Sequence, residues 1–112
     1  MNSESLTCLD LSHNLLTSIS PKITQLVHLK EINLSHNSLS NIPVEFSDFV
    51  NLEVLKLSHN LLKNKLEPLI KLTQLKSLHL ANNGISQLPF GFGNLTQVSI
   101  FRFFFLKKKW RY

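Results

Sequence analysis

A single cysteine, Cys8, among 112 residues leaves no partner for an internal disulfide, so no covalent staple is expected in this fold. Cys8 has no histidine paired with it by spacing and reads as a bystander rather than a nucleophile. Glycine is almost as scarce. The three present, Gly84, Gly91 and Gly93, fall late in the chain without the phosphate-loop pattern, and backbone permissiveness in turns explains them. No apolar run approaches the roughly 18 residues of a membrane span. The opening MNSESLTCLD has neither a basic start nor an apolar stretch, so no secretory signal is expected there. Aromatic content is mostly phenylalanine, eight against one tryptophan and one tyrosine, and with 43% hydrophobic residues the chain can fill one core.

A balanced charge is missing only at one end. The net charge of +5 comes from Arg102, Lys107, Lys108, Lys109 and Arg111; the seven other basic residues match seven acidic ones. The body therefore offers no basic stripe, and nucleic-acid binding is not expected.

What is present in abundance is repetition. LSHNLL stands at 11–16 and again at 57–62, with LSHNSL at 34–39. Asn14, Asn37, Asn60 and Asn83 are spaced 23 apart without an insertion. Leu6, Leu29, Leu52, Leu75 and Val98 open the unit. Leu9, Ile32, Leu55, Leu78 and Phe101 follow three residues later, and Leu11, Leu34, Leu57, Leu80 and Phe103 two beyond those. A second apolar set follows each asparagine, at Leu16, Leu39, Leu62 and Ile85, then Ile23, Phe46, Leu69 and Phe92, then Leu26, Phe49, Leu72 and Leu95.

Each unit reads L-x-x-L-x-L-x-x-N-x-L, and from Leu6 to Phe103 the chain resembles the intracellular leucine-rich repeat proteins with regular 23-residue units. The resemblance implies an α/β solenoid, a right-handed β-α superhelix with a parallel concave sheet and short helices or irregular segments on the convex side. Physical reasoning leads to the same place. Alternate residues of L-x-L face one side of a strand, and one short strand cannot bury that side alone, whereas stacked copies build a continuous core. The asparagine amide suits the bend after the strand, where backbone groups lose their ladder partners. Alanine there is expected to cost about 1–3 kcal/mol per site.

In the return limb, Ser20 is a candidate helix cap, with Pro21 or Pro43 at a first helical position and Pro89 in the same register as Pro43. The third unit departs, placing Lys65 where Ile19, Ile42 and Leu88 stand. Leu66 is expected to fill the gap, with Pro68 shifted and the convex segment irregular.

Outward positions line up as rows. Cys8, Glu31, Val54 and Ser77 form one; Asp10, Asn33, Lys56 and His79 the next; both are chemically mixed, as a surface fitted to a protein partner would be. Asp10, Glu31, Asn33, Val54, Lys56, Ser77 and His79 are the candidate partner-binding residues, with Asn14, Asn37, Asn60 and Asn83 as a structural ladder. Two further rows, Ser12, Ser35, Ser58 and Ala81, then His13, His36, His59 and Asn82, are monotonous and read as scaffold. Histidines stacked at about 5 Å could hold zinc or form a pH-sensitive ladder, but such residues run parallel whereas zinc ligands converge, so a stacked solvated row is expected and no metal. Ser12 and His13 are neighbours that a strand sends to opposite sides, and the pair recurs at Ser35-His36 and Ser58-His59, which argues against a hydrolase triad.

The repeat is read as residues 1–103, four full units and the strand of a fifth, followed by an aromatic and basic tail, 104–112, where position 106 carries leucine instead of asparagine. That tail fits a cap on the last unit, a contact with an anionic membrane surface, or an end of a longer repeat protein. Leucine-rich repeat proteins outside the cell carry cysteine-rich caps, which this chain lacks, so the resemblance implies a cytoplasmic location. The residues argue for a non-enzymatic, cofactor-free module, expected to be a monomer, and the resemblance implies a role in signal transduction, binding a protein partner, such as a small GTPase, on the concave face. The alternative is a recognition segment of a larger signalling enzyme, a kinase, phosphatase or GTPase.

Overall fold

The structure, a computed structural model, describes residues 5–92 and 100–102. Five strands, β1 (Cys8–Asp10), β2 (Glu31–Asn33), β3 (Val54–Lys56), β4 (Ser77–His79) and β5 (Ile100–Arg102), form one parallel sheet in chain order. The pairing has no slip. Leu9 faces Ile32, Ile32 faces Leu55, Leu55 faces Leu78 and Leu78 faces Phe101, so the spacing of 23 in sequence becomes zero stagger in space. Each strand is only three residues long, but its ladder continues into the following turn. Leu11, Leu34 and Leu57 donate to the carbonyls of Asn33, Lys56 and His79, at 2.8, 2.8 and 2.9 Å.

Return segments carry 3-10 helices at Pro21–Gln25, Val44–Asp48 and Glu67–Leu69, each beside its neighbour in chain order. Ser20 caps the first, its hydroxyl accepting from the Lys22 amide at 3.2 Å with Pro21 just inside. Pro43 corrects an expectation. It occupies the N-cap of the second helix with extended backbone, and Val44 is the first helical residue. A proline needs no amide partner at either place, which is why sequence alone does not choose between them.

The third unit is irregular for a visible reason. Lys63 takes a left-handed backbone, φ 55°, which rotates the chain so that Lys65 lies outside and Leu66 is fully buried in the slot that Ile42 and Leu88 fill elsewhere. A shortened 3-10 helix follows. In the fourth unit Gly91 sits at φ 105°, and a Cβ added there would meet Ile70 at 3.2 Å, so both the backbone and the packing favour glycine.

The core runs between sheet and return segments. Leu29, Ile32, Leu34, Phe46, Leu52, Leu55, Leu57, Leu62, Leu69 and Leu78 have no exposed surface, and Phe46 meets Phe49 edge to face at 5.2 Å. The equivalent residues of the first unit, among them Leu9, Leu11, Leu16 and Ile23, are only partly buried. Residues 104–112, together with Leu95, Val98 and Phe103, lie outside the described residues. Among those described, no helix is long and apolar enough to cross a membrane.

Candidate functional site

Strands of three residues with a buried centre leave their first and third side chains facing out. The register then aligns them as two rows, Cys8, Glu31, Val54 and Ser77, and Asp10, Asn33, Lys56 and His79; in backbone register Ser77 pairs with Ile100 and His79 with Arg102. All seven candidate binding residues therefore lie on one sheet face. Cys8 is an exposed free thiol at its first strand.

Several of these groups already have partners within the chain. Lys56 Nζ lies 3.6 Å from Glu31 Oε2, a bridge between β2 and β3 in which both side chains remain more than a third exposed, at 35% and 38%. Such a pair is worth about 0–1 kcal/mol at most, so it shapes the surface more than it stabilises the fold. Asn33 Oδ1 accepts from the Ser35 amide at 3.0 Å, and Asp10 Oδ1 accepts from the Ser12 amide at 2.9 Å and the Ser12 hydroxyl at 2.6 Å. The Ser12 hydroxyl first, and then its amide, hold the Asp10 carboxyl below its usual range, with His13 and Lys56 adding a smaller pull. Ser77 Oγ and His79 Nε2 are 2.8 Å apart. Asp10 and Asn33 thus act first as caps of their own strands, a role that spacing does not disclose. Val54 remains as the half-exposed apolar residue among the polar ones.

The asparagine ladder shows how units are tied. Asn60 Nδ2 donates to Leu57 O and Leu34 O, both at 3.0 Å, while its Oδ1 accepts from the Leu39 amide at 2.9 Å. Asn37 repeats this with Leu34, Leu11 and Leu16, and Asn83 with Leu80, Leu57 and Leu62. Each amide closes its own turn and reaches into the preceding unit. Asn14 differs from the expectation. It is exposed and, among the described residues, bonds only Leu11 O and Ser12 O in its own turn, so the cost of burying unpaired groups does not apply to it.

Two other links were not anticipated. Asn51 Nδ2 donates to Val27 O at 2.9 Å and Gln74 Nε2 to Phe49 O at 2.6 Å, a second ladder on the return side. Its signal was available, since positions 28, 51, 74 and 97 carry His, Asn, Gln and Gln at the same spacing of 23. Asn64 adds a third bridge, accepting from the amides of Ser86 and Gln87. The serine row is scaffold in fact: Ser35 Oγ accepts from the Ser58 amide and Ser58 Oγ from the Ala81 amide.

The histidine row lies in the turns beyond the strands. His13, His36 and His59 have φ of 58°, 59° and 59°, and their exposed rings stack with centroids 4.2 Å apart, closer than the strand spacing of about 4.8 Å. The strand argument about Ser12 and His13 therefore needs correcting, because both residues follow the strand. Among the described residues no three histidine, cysteine or acidic side chains group to hold a metal ion.

A family model described as leucine rich repeat matches residues 4–62, and one described as leucine rich repeats, two copies, matches residues 50–97. The chain belongs to the leucine-rich repeat family. Among solved structures it is similar to a leucine-rich repeat protein of Leptospira interrogans, 36% identical over 79% of this chain with a TM-score of 0.73. It is also similar in fold to an internalin of Listeria monocytogenes, 24% identical over 89% of this chain with a TM-score of 0.70. The chain spans 23% of the first protein's length and 30% of the second's. No curated protein sequence matches it significantly. Leucine-rich repeat domains generally mediate protein–protein interaction and are typically not enzymes.

Proposed function

We propose that this leucine-rich repeat domain is a protein-binding module of intracellular, cytoplasmic signalling, and that its partner docks on the concave sheet face. One observation carries the reading. Val54 sits half-exposed in the third of five strands, surrounded by the Glu31–Lys56 pair, Ser77 and His79 on a sheet whose register is fixed by buried leucines. An apolar centre within a polar rim, on a backbone that needs no reordering, is the arrangement that favours specific protein recognition. Asp10 and Asn33 extend the rim, and a small GTPase or another signalling protein is the class of partner we favour. The module acts as a monomeric scaffold without cofactor, and its body lacks the basic stripe that nucleic acid would require.

A second reading, a recognition segment of a larger signalling enzyme, draws support from the share of its relatives' length that the chain spans, 23% and 30%. The same face would then serve a kinase, phosphatase or GTPase domain.

The test uses a photo-crosslinking residue at position 54 and, as a control, at the exposed convex position 71. Position 54 is expected to label a protein that excess unlabelled chain displaces, and Glu31→Ala with Lys56→Ala to abolish that label while shifting stability by no more than about 0.5–1 kcal/mol. Labelling from position 71 alone would move the site to the convex side.

A further inference from the structure

The turns at the end of the sheet hold three imidazoles in a closed stack. His13 lies on His36 and His36 on His59, with ring planes inclined by only 10° and 12°. Their backbones are tied to the solenoid as firmly as the rings are to one another. The amides of His13, His36 and His59 donate to Ser35 O, Ser58 O and Ala81 O of the following unit at 3.0, 2.9 and 2.7 Å. Asn82 takes the fourth place in the row at φ 57°, with its amide nitrogen 3.3 Å from His59 Nε2. A neutral His59 ring with its proton on Nδ1 accepts from that amide. A protonated ring would set donor against donor, and the Asn82 amide would have to turn to present its oxygen.

Neutral imidazoles stack at this distance, but adjacent imidazolium rings repel, so charging neighbouring rings works against the close spacing. His36 feels this from both sides. Loss of hydration between its neighbours, then the charges of His59 and His13, hold its imidazole below the ordinary value. On strands β1 to β4, the other ionisable side chains on this face are Cys8, Asp10, Glu31, Lys56 and His79. Asp10 is influenced by His13 and Lys56, and Glu31 is paired with Lys56.

We propose that the His13–His36–His59 row is a proton-operated latch at the rim of the concave face, a closed neutral stack near neutral pH that opens when acid charges adjacent rings. Opening loosens the left-handed turns that carry the rings and converts the rim from neutral to cationic. Its effect on partner binding rests on the concave-face reading above; the latch itself does not, and it can be tested without a partner.

The experiment is an NMR titration of the histidine rings of the full chain from about pH 8 to about pH 5, with thermal melts over the same range. His36 is expected to titrate below the usual imidazole value, and its midpoint to move up in His13→Asn/His59→Asn, which keeps the left-handed turns because Asn82 already occupies one. Ring-current shifts between neighbours should disappear on acidification. The melting temperature should fall with pH, because an unfolded chain binds the His36 proton more readily than the native one. In the triple variant, with His36→Asn added, that fall should flatten. A His36 midpoint indifferent to its neighbours, or ring-current shifts that persist at the acid end, would overturn the latch. His59→Asn alone copies the fourth unit's residue and supplies the midpoint comparison if the larger variants do not fold.

Discussion

The first unit and the third share the word LSHNLL, yet they are held in different ways. In the third, Leu55, Leu57 and Leu62 are fully buried, and Asn60 is 4% exposed with bonds into the unit before it. In the first, Leu9, Leu11 and Leu16 are partly buried and Asn14 is exposed, with bonds to its own turn alone among the described residues. Identical residues thus acquire their environment from what stacks on either side of them. β3 has a strand on each flank, whereas β1 pairs with β2 alone among the described strands. The first unit is tied to the second through Asn37 and the Leu11 amide, and adds contacts within itself, through Asp10 with Ser12 and through the Ser20 cap.

The largest effect that would sharpen this contrast lies in the core. Leu55→Ala should cost about 2–5 kcal/mol in urea unfolding, and Leu9→Ala less than half of its measured value, since a half-exposed site creates little cavity. Equal losses would break the contrast. Next comes the ladder: Asn60→Ala should cost about 1–3 kcal/mol, whereas Asn14→Ala should stay within about 0.5 kcal/mol, read from the same curves. The local devices of the first unit follow. Ser20→Ala should remove about 0.5–1 kcal/mol through the lost cap, whereas substitutions at Pro43 have no side-chain cap bond to lose.

The smallest effect is expected from pH. The Asp10 carboxyl sits below its usual range when folded, so its contribution is complete above the unfolded value near 4 and is lost as pH falls through the folded one. Asp10→Asn should therefore flatten the acid side of the stability profile below about pH 4 and leave it unchanged near neutrality. A shift above that window would place the responsible group elsewhere.

The sheet, its register and the inward leucines were legible because they follow from a period that can be counted. Leu66 in place of Lys65 was legible for the same reason: an apolar slot recurs, and the nearest leucine fills it. The turns were less so. His13, His36, His59 and Asn82 all adopt left-handed backbones, and the only advance sign was that residues which tolerate that region, histidine and asparagine, recur just ahead of the ladder asparagine. The candidate face was placed by alternation, but its internal bonds were not, because Glu31 to Lys56 and Asp10 to Ser12 depend on side-chain reach that spacing leaves open. Asn51 and Gln74 escaped notice since two different side chains perform one task at equivalent positions.

The unbroken period has a further consequence, which concerns inheritance. Among the described elements each touches only its immediate neighbours, and every cross-unit bond of the asparagine ladder spans one unit. A duplication or deletion of one whole unit would lengthen or shorten the sheet while every remaining residue kept its partner types. Any other length would throw the downstream leucines out of step and unmake the array. Such a gene can change the size of its exposed sheet face in a single event, in steps fixed by the period, long before point substitutions adjust the chemistry of that face.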